Sequence, residues 1–124
     1  MPSLDHNLLI GADDPILVTG ATGFIGSRLV ETLIDAGFRR VRCFARPSSD
    51  LSKLDAASRH DGRVEVVTGN LLSRADCVAA TRDVAVIFHL AAGRGEKSFP
   101  DSFMNSVVTT RNLLDATLRD TSRR

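Results

Sequence analysis

Short apolar runs recur along the chain, and stretches of helical periodicity separate them. Ile16-Leu17-Val18, Val41 to Ala45, Val64 to Thr68 and Val84 to Leu90 have the length and β-branched content of strands. Pro15 opens the first and Pro47 follows the second. The fourth is almost continuously apolar, as in strands that a parallel sheet buries on both faces. A helix is predicted from Phe24 to Ala36, with Phe24, Ile25, Leu29, Leu33 and Ile34 as its apolar side and Gly37 as its stop. Asp50 to Ala57 reads as a short helix capped by Ser49 or Asp50. Ser73 to Ala80 reads as another, with Ser73 and Asp76 at capping-box spacing. Ser98-Phe99-Pro100-Asp101 supplies a cap, an early proline and a first-turn acid, after which Phe103, Val107, Leu114 and Leu118 repeat at helical spacing.

Strands alternating with helices imply right-handed crossovers and a parallel sheet. For a doubly wound arrangement the strand order is 3-2-1-4, and a ligand belongs where the winding reverses, at the C-terminal ends of strands one and four. Gly20 to Gly26 and Leu90 to Gly93 fall there. Residues 15–119 form one domain on this reading, after a lead-in over 1–14 with a possible packing segment at Leu8-Leu9-Ile10, and before a polar tail over 120–124.

The bulk properties narrow the field. A chain of 124 residues with formal net charge +1 carries no electrostatic footprint for nucleic acid or an anionic membrane. No apolar run approaches the ~20 residues of a membrane helix, and the N-terminus lacks a secretory layout. Cys43 and Cys77 belong to no Cys-x-x-Cys or Cys/His cluster. They read as core thiols, which suits a cytoplasmic protein and suggests no metal site.

The strongest chemical signal is Thr19-Gly20-Ala21-Thr22-Gly23-Phe24-Ile25-Gly26, placed directly between the first strand and the first helix. A pyrophosphate needs donors, and a helix start offers unpaired N–H groups at the positive end of its dipole. Glycines at this spacing allow a sharp turn at Gly20, close backbone approach at Gly23, and tight helix–sheet packing at Gly26. A ligand-free glycine turn is the alternative, but the flanking strand and helix favour the phosphate site.

These residues, together with Ala45-Arg46-Pro47-Ser48-Ser49, Gly69-Asn70-Leu71, His89-Leu90-Ala91-Ala92 and Thr110-Arg111-Asn112-Leu113-Leu114, resemble the extended short-chain dehydrogenase/reductases, and most closely the NAD-dependent epimerase/dehydratase family. The likeness runs from about Ile16 to Leu118. It implies an α/β, Rossmann-like doubly wound parallel sheet of about four βα units. By the resemblance, Gly20, Thr22, Gly23, Phe24, Ile25 and Gly26 line the pyrophosphate site, Asn70 and Leu71 flank the adenine, and Ala91 and Ala92 touch the cofactor where strand four ends. Three positions depart from the family pattern. Asn70 replaces the usual Asp, although its amide oxygen still accepts a hydrogen bond. Ser106 stands for the family's helix Asn and Thr109 for its Gly, which puts a hydrogen bond near the catalytic region in doubt.

The residue after strand two distinguishes the cofactors. An acid there accepts from the ribose of NAD, whereas an arginine accommodates the 2′-phosphate of NADP. Here it is Arg46, with Ser48 and Ser49 following, so NADP is preferred and NAD remains usable. The alternative is an Arg46 that stacks on adenine or is solvated. His89 reads as a strand-end structural residue, and Arg94, Glu96 and Lys97 as a solvated loop. His6 and His60 have no partner set, and Ser/His/Asp catalysis has no support.

The family's acid/base chemistry uses a Tyr-x-x-x-Lys pair and a Ser or Thr. This chain has no tyrosine, so no catalytic residue is assigned to it. The resemblance implies the cofactor-binding part of a longer oxidoreductase, epimerase or dehydratase, acting on a sugar-nucleotide or another small carbonyl or alcohol whose binding region lies outside the chain. The alternative is a non-catalytic dinucleotide-binding regulatory or sensor module. An open fourth strand, or the apolar side from Phe103 to Leu118, leads to an expectation of homo-oligomers.

Overall fold

The computed structural model describes residues 9–54, 62–92 and 98–120. Its elements are β1 (Ile16–Thr19), α1 (Phe24–Asp35), β2 (Val41–Ala45), β3 (Val64–Thr68), α2 (Arg74–Thr81), β4 (Val86–His89), α3 (Phe99–Phe103), a π-helical turn (Met104–Val108) and α4 (Thr109–Asp120). The four strands are parallel in the order β3-β2-β1-β4. This is the α/β doubly wound arrangement expected: the chain winds outward from β1 through β2 to β3, then crosses back to place β4 on the other side of β1.

Strand alternation divides the core between the two faces. Ile16 and Val18 of β1 pack with Val41 and Cys43 of β2 against Val30, Leu33 and Ile34 of α1. Leu17 and Phe44 face the other way, toward Cys77 and Ala80 of α2 and Leu113 and Ala116 of α4. The buried thiols of Cys43 and Cys77 therefore lie in separate clusters and are not joined in a disulfide. Arg42, on the α2 side of β2, donates from one guanidinium nitrogen to the Ala80 and Arg82 carbonyls at 2.6 and 3.1 Å. It thereby satisfies the C-terminal end of a helix with no basic residue of its own in the last turn.

The helix ends follow their local chemistry. At α1 the Phe38 N–H bonds the Leu33 carbonyl and the Gly37 N–H bonds that of Ile34, a Schellman closure at the predicted glycine. Ser73 and Ser98 cap α2 and α3 by accepting from the Asp76 and Asp101 N–H groups. Asp76 completes no reciprocal box; its carboxylate accepts from the Asn70 N–H at 2.9 Å instead.

Several expectations change. Phe24 and Ile25 are 74% and 72% exposed rather than part of the buried side of α1. That side is Gly26, Ser27, Val30, Leu33 and Ile34, because the small first-turn residues are the ones pressed to the sheet. Residues 50–54 form a turn, not a helix: Asp50 accepts from the Ser52 N–H and the Leu54 N–H closes onto Leu51. The rest of that expected helix, the first eight residues, the loop over 93–97, and 121–124 lie outside the described residues. β4 is shorter than the apolar run and only half-buried, because among the described residues it pairs with β1 alone, at the sheet edge. The stripe Phe103, Val107, Leu114 and Leu118 is exposed. The last helix packs instead through the face of Thr109, Asn112, Leu113 and Ala116, from which Leu113 and Ala116 join the core cluster shared with α2.

Candidate functional site

The glycine turn closes tightly at the C-terminal end of β1. Gly20 has φ of +70°, where L side chains are strained, and a Cβ there would lie 2.8 Å from the Ala91 nitrogen and the Leu90 carbonyl carbon. Its carbonyl accepts from the Gly23 N–H at 3.1 Å. A Cβ on Gly26 would be driven into that same Gly20 carbonyl. The turn thus sits against the peptide that follows β4, joining the two segments at the winding reversal.

The start of α1 is left chemically open. Gly23 occupies its cap position with no side-chain hydrogen bond, and its first turn holds no acid. Its early N–H groups and dipole face the turn, with half-buried Thr22 and exposed Phe24 and Ile25 beside them. An anionic pyrophosphate fits this cradle: glycine backbone close at hand, orphan donors and no competing carboxylate.

Thr19 holds the far wall. Its Oγ1 accepts from the Leu90 and Ala91 N–H groups at 3.1 and 3.2 Å and lies 2.6 Å from His89 Nδ1. His89 Nε2 lies 2.9 Å from Thr110 Oγ1 on α4. Burial of the imidazole holds its pKa below the usual histidine value. Ala91 is partly buried against the core cluster that holds Leu17 and Leu71, and Ala92 is exposed.

The last helix touches two further strand ends. Asn112 donates from Nδ2 to the Leu71 carbonyl at 2.9 Å, and the Cys77 thiol donates to the same oxygen at 3.3 Å. Leu71 is buried, so its side chain belongs to the core, while exposed Asn70 turns the loop by accepting the Leu72 N–H on Oδ1. Arg46 Nη2 donates to Asn105 Oδ1 at 3.3 Å across the ends of β2 and the π turn. Ser49 Oγ accepts from the Arg46 N–H at 3.2 Å, fixing the Arg-Pro-Ser-Ser turn. The Thr109 and Thr110 hydroxyls donate to the Asn105 and Ser106 carbonyls where the helix widens to a π turn.

The structure places Gly20, Thr22, Gly23, Phe24, Ile25 and Gly26 together at the α1 start. The structure brings Ala91 against that cluster, while Arg46 with Ser49, and Asn70 with Leu71, stand at the ends of β2 and β3. The reading of the sequence missed Thr19, Asn105, Thr110 and Asn112 as supports. The signal was present in Thr110-Arg111-Asn112, but which strand end each polar side chain reaches depends on the π turn, which has no clear sequence mark.

Comparison with known proteins decides the family. Residues 16–124 match the NAD dependent epimerase/dehydratase family. The chain belongs to this family. It is 38% identical over 109 residues to a 3 beta-hydroxysteroid dehydrogenase/Delta 5→4-isomerase of Mycobacterium tuberculosis, covering 82% of this chain and 27% of that protein. It is 36% identical over 112 residues to sterol demethylase protein B of Methylococcus capsulatus, covering 87% of this chain and 32% of that one. The chain thus spans about a third or less of these relatives. Uronate dehydrogenase from Agrobacterium tumefaciens, solved as a variant complexed with NAD, superposes with a TM-score of 0.69 at 27% identity, covering 87% of this chain and 37% of that one. Pen from Bacillus thuringiensis shares the fold, with a TM-score of 0.78 at 20% identity, covering 91% of this chain and 36% of that one. The fold is thus that of an NAD-dependent epimerase/dehydratase-type oxidoreductase. No helix of the described residues is long and apolar enough to cross a membrane.

Proposed function

We propose that this chain binds a nicotinamide dinucleotide through the glycine turn and serves as the cofactor-binding part of an NAD(P)-dependent oxidoreductase, epimerase or dehydratase. The uncapped, acid-free start of α1 behind Gly20 and Gly26 carries the proposal. When bound, the dinucleotide supplies hydride transfer. Around it, the α1 N–H groups meet the pyrophosphate, Asn70 and the Leu71 backbone border the adenine, and the Leu90–Ala91 peptide borders the nicotinamide half. Arg46 favours NADP: a fork onto the 2′-phosphate contributes about 1.5–3 kcal/mol, or roughly tenfold to hundredfold in affinity.

The substrate proposed is a small carbonyl or alcohol, sugar-nucleotides included, in line with the hydroxysteroid dehydrogenase among the relatives. The chain contains no tyrosine, so the family's acid/base pair is supplied from outside it. The same fact favours a second reading, a dinucleotide-binding sensor without catalysis. We further propose a cytoplasmic protein that self-associates through the exposed Phe103, Val107, Leu114 and Leu118 stripe or the β4 edge. Thermal melting tests the cofactor proposal. Saturating NADP⁺ raises the midpoint, by about 2.7 kcal/mol of added stability at a hundred times the dissociation constant; an unchanged midpoint with both dinucleotides rejects it.

A further inference from the structure

Counting protons through the Thr19–His89–Thr110 chain fixes its direction. Thr19 Oγ1 has two lone pairs, and the Leu90 and Ala91 N–H groups point at them. The 2.6 Å contact to His89 Nδ1 is then the Thr19 hydroxyl donating. Nδ1 carries a lone pair, so the neutral imidazole bears its proton on Nε2 and donates it to Thr110 Oγ1 at 2.9 Å. The Thr110 hydroxyl donates onward to the Ser106 carbonyl at 2.6 Å. Each hydroxyl has one proton, so the chain runs one way only.

Protonation of His89 breaks this order. Nδ1–H becomes a third donor aimed at Thr19 Oγ1, and the Thr19 hydroxyl proton loses its acceptor. Thr19 is fully buried, so water does not replace it. The Leu90 N–H has the Thr19 carbonyl, 3.2 Å away, as a second acceptor, whereas the Ala91 N–H is held by Thr19 Oγ1 at 3.2 Å. The Ala91 end of the peptide is therefore the part that gives way, and that peptide is the one packed on Gly20.

We propose that His89 is a positioning residue of the dinucleotide site: neutral, it locks Thr19 onto the Leu90–Ala91 peptide and so sets the glycine turn, and protonated, it releases that peptide and weakens cofactor binding. This rests on the cofactor reading above. β1 and the glycine turn present no charged side chain to His89. From the last helix its partner is the neutral Thr110, while Arg111 pairs with Asp115 at 3.9 Å and Asp101 stands two turns earlier. Burial is the cause of its lowered pKa. Arg94, Glu96 and Lys97 follow β4 outside the described residues.

The test combines nitrogen NMR of the imidazole with NAD⁺ titrations from pH 8 to pH 5.5. NAD⁺ is the probe because the 2′-phosphate of NADP⁺ itself titrates near pH 6, at about the usual phosphate value. At pH 8 the expected tautomer is Nε2–H with Nδ1 bare. On acidification the Ala91 amide resonance titrates together with His89, and NAD⁺ affinity falls by up to about tenfold per pH unit below that midpoint. His89→Asn, whose amide oxygen can accept from Thr19 but does not titrate, gives a pH-flat affinity whatever its absolute value. An Nδ1–H tautomer, an Ala91 amide indifferent to His89, or the same acid dependence in His89→Asn overturns the inference. Absence of NAD⁺ binding at every pH, with the tautomer and the Ala91 titration as expected, rejects the cofactor reading and leaves the tether standing.

Discussion

Asn112, on the last helix, donates to the carbonyl of Leu71 at the end of β3, 2.9 Å away, and both residues are buried. A helix 41 residues later in the chain thereby sets the backbone of the loop assigned to the adenine. Among the described residues, Asn112→Leu leaves that carbonyl with the weak Cys77 thiol as its side-chain donor. The expected cost is about 1–3 kcal/mol, read as a lower urea midpoint with an unchanged slope. An unchanged midpoint removes Asn112 from the supports of the site.

Gly26→Ala drives a methyl into the Gly20 carbonyl, which is backbone and cannot swing aside. The helix must retreat from the sheet, at about 1–3 kcal/mol of overpacking. Dinucleotide affinity falls by at least roughly tenfold as the pyrophosphate cradle opens. Calorimetry on the folded variant checks this; wild-type affinity shows that the turn is not the binding element.

Arg46→Ala separates the two cofactors: NADP⁺ affinity falls roughly tenfold to hundredfold while NAD⁺ affinity changes little. Asn105→Ala frees the Arg46 guanidinium from its exposed 3.3 Å contact. A contact of that kind contributes below about 1 kcal/mol, so NADP⁺ affinity drops by less than about fivefold through lost preorganisation. Tighter NADP⁺ binding in Asn105→Ala instead identifies Asn105 as a competitor for Arg46.

Two groups, half-buried His89 and buried Cys77, bound the pH range of stability. The fold holds the His89 pKa below its unfolded value of about 6.5, so stability is fully present above that pH and declines as pH falls toward the folded value. Burial, aided by Asp76, pushes the Cys77 thiol up, so that its contribution is fully present below the unfolded thiol pKa and declines as pH rises above it. Urea melts across pH 5 to 10 show a plateau between these limits. Thiol reagents label Cys77 no faster than the chain unfolds, and rapid labelling of the native chain contradicts its burial.

Leu114→Asp places a charge in the exposed apolar stripe. If the stripe is the association surface, light scattering at micromolar concentration shows a larger species for the wild type and a monomer for the variant. Equal mass for both sends association elsewhere.

The legible parts of this protein were those written in local chemistry. The bounds of β2 and β3, the caps Ser73 and Ser98, and the stop at Gly37 follow from residues within a turn of where they act. Alternation of strands and helices implied the parallel sheet, and the doubly wound arrangement then supplied its order. The misreadings came where two faces competed. Phe24 and Ile25 are more hydrophobic than Gly26 and Ser27, yet closeness to the sheet selects the small pair. In the last helix, Leu113 and Ala116 are buried on the face shared with Thr109 and Asn112 while Leu114 and Leu118 are exposed, so hydrophobicity alone did not select the packed face. Thr19, Asn105 and Asn112 were invisible as supports because each acts on a residue between 41 and 72 positions away in the chain.

Calorimetric titration of the purified chain with NADP⁺ and NAD⁺, beside the folded Gly26→Ala variant, tests the central claim most directly. Saturable one-to-one binding that is tighter for NADP⁺ and lost in the variant is the expected result. A folded chain that binds neither dinucleotide, or a variant that binds as the wild type does, contradicts the account.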